Sequence, residues 1–290
     1  MEVKALKFGG LTAKRPIVQG GMGVGISLSS LAGNVAKCGG VGTISGVHPG
    51  YREADFKENP FRANLRAIGN ELEKAKEIAN GGIIGFNFMT VMNHYEEYVK
   101  EAIAAGADFI VSGAGLPANL AKYAAGTRAA ILPIVSSARA LKLIVKQWQR
   151  ADRLPDAVVV EGPLAGGHLG YPYGHLVDGT FDTLEDSLVD VVDYVRELEE
   201  KNGVKIPVVA GGGVRNHADM ERLMALGASG VQVGTKFVAT EECDAAPAFK
   251  QAYLRSRKED VQLIESPVGL AARAIRNSFL EKIEKQGRIP

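Results

Sequence analysis

Few of the residues that announce a specialised protein are present. Cysteine occurs twice in 290 residues, at Cys38 and Cys243, with no CxxC pair. A disulfide framework or a zinc site is therefore not expected, and the pattern fits a reducing cytoplasm. The five histidines (His48, His94, His168, His175 and His217) form no HExxH motif, and no metal site is predicted. Neither sign of charge is in excess: 34 basic residues stand against 33 acidic ones, a net charge of +1. That gives no electrostatic footprint for nucleic acid. No stretch reaches the ~18 uninterrupted apolar residues that a membrane span requires. The first residues, Met1 to Lys7, lack the apolar core of a signal peptide. There is no GxxxxGK[ST] loop. No Pro/Ser-rich linker and no shift in charge divides the chain, so residues 1–290 are expected to form one domain.

Glycine is what the chain has in quantity, 35 residues of it, clustered where apolar runs end. Short apolar runs alternate with longer helical patterns throughout. The predicted strands are Ile17–Gln19, Val41–Ser45, Ile83–Phe88, Asp108–Val111, Ala130–Val135, Ala157–Val160, Pro207–Ala210 and Gly230–Val233. Helices are expected from Ser29, as N-cap, to Cys38, and over Phe61–Ala79, His94–Ala105, Ala138–Arg150, Thr183–Lys201 and Asn216–Leu226. Two more are expected near Pro117 and from Asp244 onward. Gly46–Pro60 reads as a polar loop, Tyr171–Asp182 as a loop, and Ile264–Pro290 as a tail without a strand. Eight strand–helix units in about 250 residues predict an α/β fold, a TIM (β/α)8 barrel with a C-terminal tail segment. A doubly wound open sheet is the alternative, because sequence does not show closure.

In a parallel barrel, ligands gather at the carboxyl ends of the strands. The residues there are Gly21-Met22-Gly23, Ser45, Asn87, Ser112-Gly113, Ser136-Ser137, Glu161 with Gly166-Gly167-His168, Gly211-Gly212-Gly213 and, after Gln232, Gly234-Thr235. This set is poor in charge and rich in glycine, which suits a large planar cofactor held by backbone groups. The clusters after strands seven and eight occupy the usual phosphate position of such barrels; tight turns are the competing explanation for either cluster alone. Gly113–Ala118 fits GxGxxA, but no acidic residue follows at the distance a dinucleotide fold needs, so it reads as a turn. His168, behind two glycines at a strand end, is the candidate proton-transfer residue. Glu161 either hydrogen-bonds a ligand or orients a loop. Met22 either covers a cofactor ring or fills a gap. Tyr171 and Tyr173 either line the mouth or lie on the surface, and Arg273–Asn277 either covers the pocket or docks on the barrel. Cys38 is expected to pack inward and Cys243 to be structural.

Five segments carry a resemblance: Pro16–Met22, Gly85-Phe86-Asn87, Ala165–Gly170, Val209–Gly213 and Gln232–Phe237. Together with Arg273–Asn277, and in this order, they resemble the nitronate monooxygenase (2-nitropropane dioxygenase-like) family. That family shares a superfamily with the FMN-dependent enoyl-acyl-carrier-protein reductase II. The resemblance implies a barrel holding one FMN, contacted by Gly21, Met22, Gly23, Asn87, Gly167, Gly212, Gly213, Gly234 and Thr235. The strand-end residues Ser136, Glu161, Gly166, Gly211 and Gln232 complete the expected lining. His168 falls on the histidine treated as the active-site residue of these enzymes. Where some relatives carry a lysine near the flavin, this chain has Ser136, which removes a positive charge. The 46–60 loop is also longer than in many relatives.

The expected activity is oxidation of an alkyl nitronate by dioxygen to a carbonyl product and nitrite. One alternative is an NAD(P)H-dependent reductase of an enoyl thioester. The other is a non-catalytic flavin-binding barrel, for which the glycines would suffice. The expected partner is a small molecule, with a second copy of the chain as the one protein partner considered.

Overall fold

The computed structural model describes residues 4–266 and 268–286. Thirteen strands are formed among them: β1 (Leu6–Phe8), β2 (Leu11–Ala13), β3 (Ile17–Gln19), β4 (Val41–Ser45), β5 (Ile83–Met89), β6 (Phe109–Gly113), β7 (Ala130–Val135), β8 (Val158–Glu161), β9 (Gly167–His168), β10 (Val208–Gly211), β11 (Gly230–Val233), β12 (Val261–Glu265) and β13 (Ala271–Ile275). Eight of them, β3 to β8 with β10 and β11, close into a parallel barrel. Closure rests on two pairings. β10 lies between β8 and β11, with Val209 opposite both Val159 and Gly230, and β11 returns to β3, with Gln232 opposite Val18. The TIM barrel is thus the observed fold, and the open sheet is excluded.

Helices α1 (Ser29–Lys37), α2 (Pro60–Ala79), α3 (Tyr95–Ala104), α4 (Leu120–Tyr123), α5 (Ala138–Trp148), α6 (Tyr173–Asp178), α7 (Leu184–Asn202), α8 (His217–Ala225), α9 (Thr235–Val238), α10 (Pro247–Arg255) and α11 (Ser278–Gln286) complete the chain. Two hydrophobic layers follow from strand alternation. Outward residues such as Phe86, Ile110, Val160 and Ala210 pack against Leu72, Ile144, Trp148 and Leu188 of the helices. Inward residues, among them Val18, Val41, Ile83, Val111, Leu132, Val159 and Val209, fill the lower barrel. The β1–β2 hairpin adds Leu6, Phe8 and Ala13 to this inner cluster, and the Phe8 ring meets Phe109 edge-on at 6.0 Å. Phe109 begins β6, so the hairpin stoppers the amino end of the barrel and leaves the carboxyl end as the open mouth.

Helix starts are where side chains do the most local work. Asn59, Ser137, Thr183 and Asn216 cap α2, α5, α7 and α8, each accepting from a backbone N–H inside the first turn. Ser29 does not cap α1; it is the first helical residue, and Leu28 precedes it. The free N–H groups of that turn are met from far away. Asp244 accepts from Leu28 at 2.8 Å, Ser30 at 3.2 Å and Leu31 at 3.1 Å, while Glu71 accepts from Ser29 at 2.9 Å. Asp244 therefore ties the segment after β11 to the start of α1 and satisfies donors that burial would otherwise leave costly.

Other expectations are corrected. The tail from Ile264 is not strandless: it contains the end of β12, all of β13 and α11, with Pro267 and residues 287–290 outside the described residues. Tyr171–Asp182 contains α6, and the helix expected at Asp244 begins at Pro247. Pro117 does not open a helix; α4 starts at Leu120, and the Pro117 carbonyl accepts from the Trp148 indole at 2.8 Å. Cys38, expected to pack inward, is exposed, because it is the C-cap of α1 and lies past the buried face formed by Leu31, Ala32, Val35 and Ala36. Cys243 is buried and its thiol donates to the Ile26 carbonyl.

Replacing Asp244 by alanine removes three hydrogen bonds at once, accepted by its two carboxylate oxygens, and is expected to cost about 1–2 kcal/mol. The measurement is a lower denaturant midpoint at unchanged slope. Asp244→Asn, which keeps an acceptor oxygen, should lose less.

Candidate active site

Inside the barrel, composition changes with height. Below the mouth the inward side chains are aliphatic. At the mouth, alternation along β4, β5, β8 and β11 turns Thr43, Ser45, Asn87, Glu161 and Gln232 inward. These five form a polar layer over an apolar floor, at the end where parallel strands collect their chemistry. The Thr43 hydroxyl is fully buried and has no hydrogen-bond partner among the described residues. Thr43 was absent from the strand-end residues singled out in the sequence. Its position two residues before Ser45 on the same face was the signal available.

Glu161 and Gln232 meet across this layer: Gln232 Nε2 donates to Glu161 Oε1 at 2.9 Å, over the intervening Gly211 of β10. Burial pushes the Glu161 carboxyl up to about 7, opposed only by the hydrogen bond from Gln232. Both residues were expected at the site; their direct contact was not foreseen. Asn87 packs beneath Gly21, where any Cβ would collide with the asparagine side chain. Met22 lies over Gly234, its Sδ 3.5 Å from where a Cβ would stand, and Gly166 faces the Thr235 hydroxyl at 3.6 Å in the same sense. Ser45 likewise faces Gly23. The Ser136 hydroxyl donates to the Gly170 carbonyl at 2.8 Å, so it braces the loop after β9.

The loop after β10 turns sharply. Gly212 and Gly213 have φ of +97° and +93°, and a Cβ on Gly212 would stand 3.0 Å from the Gly162 carbonyl oxygen and 3.1 Å from the Ala165 amide. Only glycine meets both demands without strain. The two glycine clusters after β10 and β11 therefore sit side by side on adjacent strands, each next to the Gly162–Gly166 segment after β8.

His168 owes its place to the part of the chain that gave the weakest sequence signal. β9 is two residues long and pairs antiparallel with β13, Ala272 opposite His168 and Arg273 opposite Gly167. Leu169 donates to the Ala271 carbonyl at 2.8 Å. Beneath the pairing, Ala165, Leu169, Leu176 and Ala271 form a small core of their own, with Tyr171, Phe181 and Leu263 against it. Arg273–Asn277, read as a cover for the pocket or a segment docked on the barrel, has a different role at its start: Arg273 belongs to β13 and pairs with the histidine strand. The imidazole is half-buried, and burial holds its pKa below the ordinary histidine value. At neutral pH it is therefore unprotonated and able to accept a proton. The alternating Val261, Leu263 and Glu265 followed by a turn at Gly269 were the available hairpin signal.

The family profile described as nitronate monooxygenase matches residues 4–289. The chain belongs to the nitronate monooxygenase family. A probable nitronate monooxygenase from Staphylococcus saprophyticus is 26% identical over 306 aligned residues, covering 98% of this chain and 82% of its own length. One from Staphylococcus haemolyticus is 36% identical over 136 residues, covering 47% of this chain and 36% of its own. Among solved structures, FabK from Thermotoga maritima superposes with a TM-score of 0.73 at 26% identity, covering 94% of this chain and 75% of that one. The nitroalkane oxidase of Streptomyces ansochromogenes, with a TM-score of 0.67 at 22% identity over 92% of this chain and 78% of its own, shares the fold. This nitronate monooxygenase family member is a flavin-dependent oxidoreductase. None of its helices is long and apolar enough to cross a membrane among the described residues.

Gly212→Ala places a side chain on a left-handed backbone against the Gly162 carbonyl. A loss of about 1–3 kcal/mol is expected from backbone strain, read as a lower melting midpoint. Reduced flavin content in the purified variant should accompany it. Normal flavin content at normal stability would show that this turn does not shape the cofactor site.

Proposed function

We propose that the protein is an FMN-dependent enzyme that oxidises alkyl nitronates with dioxygen to a carbonyl product and nitrite, with residues 1–290 acting as one catalytic unit. The observation that carries this reading is His168. It is a half-buried, uncharged imidazole held by main-chain pairing at the mouth of a barrel whose strand ends are otherwise glycine and small polar residues. The residues suit a flavin phosphate at one end, where the backbone of Gly211-Gly212-Gly213 and Gly234-Thr235 offers N–H groups on neighbouring strands. Gly21, Met22, Gly23 and Asn87 with Gly166, Gly167 and Ser136 would hold the ring system. Glu161 and Gln232 supply hydrogen-bonding groups from the barrel interior. The orphaned Thr43 hydroxyl beside that layer favours a polar ligand over an empty, water-free cavity.

The bound flavin supplies electron transfer to dioxygen. The protein excludes water with its apolar floor, orients the substrate, and takes up the substrate proton at His168. Because burial disfavours the imidazolium, His168 is ready as a base at pH 7 without help from a carboxylate. With a neutral nitroalkane the histidine removes a proton from carbon; with a preformed nitronate it needs only to hydrogen-bond the nitro oxygens.

A second reading, NAD(P)H-dependent reduction of an enoyl thioester, is favoured by the apolar rim. Val24, Val91, Leu116 and Leu164 are all exposed on loops at the carboxyl ends, where an acyl chain could lie.

Three outcomes are expected. Under air, the FMN-loaded enzyme should release nitrite from propionate 3-nitronate or 2-nitropropane; no nitrite from either would overturn the proposal, and rapid anaerobic bleaching of the flavin by NAD(P)H would favour the reductase. His168→Asn should lower the rate with neutral 2-nitropropane by about 10²–10⁴-fold but leave much of the rate with its preformed nitronate. Activity on the neutral substrate should fall on acidification only below the ordinary histidine value of about 6.5, because burial shifts this imidazole downward.

A further inference from the structure

In the chemistry described so far the Glu161–Gln232 pair supplies hydrogen-bonding groups but carries no proton. Glu161 ends β8 on its inward face, and Gln232 faces it from the inner side of β11. Glu161 is partly buried at the open mouth, and a carboxylate drawn out of water is stabilised by cations or by several donors. Glu161 has one neutral donor, Gln232 Nε2 at 2.9 Å. Among the described residues no Lys, Arg or His forms an ion pair with it, and its other oxygen has no hydrogen bond. The neighbouring elements bring no compensating charge. β10 contributes Gly211, the start of the loop after β3 contributes Gly20, whose missing Cβ would touch the Gln232 side chain, and β7 ends in Ile134 and Val135. The segment after β8 contributes Tyr171, whose hydroxyl donates to the Glu161 backbone carbonyl at 3.4 Å, and carries His168, held neutral by burial. Tyr171 is itself raised, first by burial, and further by Asp182 and Glu161, so it adds no charge at neutral pH. Directly below lie Val159 and Val209.

We propose that Glu161, hydrogen-bonded to Gln232 across the polar layer of the barrel mouth, is a second proton-carrying group of the active site, distinct from His168. It exchanges its proton within the neutral range and so sets the charge of the flavin pocket. The two groups have complementary resting states: an unprotonated imidazole that can accept a proton, and a carboxylic acid that can donate a hydrogen bond or release one. Like a carboxyl kept neutral by an apolar site, Glu161 can donate to an electron-rich ligand atom, which a carboxylate could not do. Gln232 tunes it, because its N–H stabilises the ionised form. This assignment rests on the reading of the barrel mouth as a flavin site.

The test uses the full-length protein, first without and then with FMN. In the flavin-free protein, infrared difference spectra across pH should show a carboxylic acid band lost on deprotonation with a midpoint near 7. The band should be absent in Glu161→Gln, and its midpoint should move up in Gln232→Met, which removes the donor. With FMN, binding followed calorimetrically in buffers of different ionisation enthalpy should show proton exchange near neutral pH that Glu161→Gln loses while the flavin still binds. A wild-type midpoint in the ordinary glutamate range near 4.3, or a band unchanged in Glu161→Gln, would overturn the proposal. Failure of the wild type to bind FMN while the titration near 7 persists would instead overturn the flavin reading and leave the proton-carrying carboxyl standing. Gln232→Met separates a folding defect from loss of the proton, since a misfolded barrel would abolish the band rather than shift it upward.

Discussion

Closure of the sheet, through the pairing of β10 with β8 on one side and of β11 with β3 on the other, is the constraint on which the rest of the molecule depends. Eight parallel strands that end on one rim bring together residues from position 19 to position 235 of the chain. Closure also fixes which side chains look inward. With the β1–β2 hairpin blocking the lower end and aliphatic side chains filling the lower barrel, the inward groups left with access to a ligand among the described residues are those at the carboxyl rim. The site is therefore a consequence of register: Glu161 and Gln232 meet because β8, β10 and β11 are staggered as they are.

A second dependency runs from the end of the chain back to its middle. The histidine strand β9 has only two residues and no place in the barrel sheet; it exists because β13 pairs with it and because the small core around Leu169, Leu176 and Ala271 holds the two together. A loop histidine without that support would sample many orientations. Here its backbone is fixed by the same kind of hydrogen bonding that fixes the barrel strands, while its ring remains half in solvent. The segment after β11 plays a comparable part on the other side of the mouth, where Asp244 anchors the start of α1 and so steadies the Gly20–Ser27 loop that precedes it.

The polar layer and its apolar floor also explain how titratable groups in one pocket come to hold opposite charge preferences. Burial disfavours whichever form is charged. For His168 that form is the protonated one, and for Glu161 the deprotonated one, so one physical cause lowers the proton affinity of the base and raises that of the acid. Neither group needs a charged neighbour, which accords with a chain that places glycine, amide and hydroxyl groups at its strand ends in preference to lysine or arginine.

The eight barrel strands, with bounds shifted by a residue or two, were legible in the sequence because β-branched runs ending in glycine carry a local signal, and so was the clustering of Gly21, Asn87, His168, Gly212 and Gly234 at strand ends. The sequence by itself determined the alternation of strand and helix, the glycines that the turns after β10 require, and the chemistry available to the rim. Only the tertiary structure decided the rest. The β1–β2 stopper, the β12–β13 hairpin, the distant Asp244 cap and the Glu161–Gln232 contact are all settled by partners far away in the chain. Residue 161 and residue 232 carry no mark of one another in the sequence; what joins them is the stagger of a closed sheet, which is a property of all eight strands together and of none of them alone.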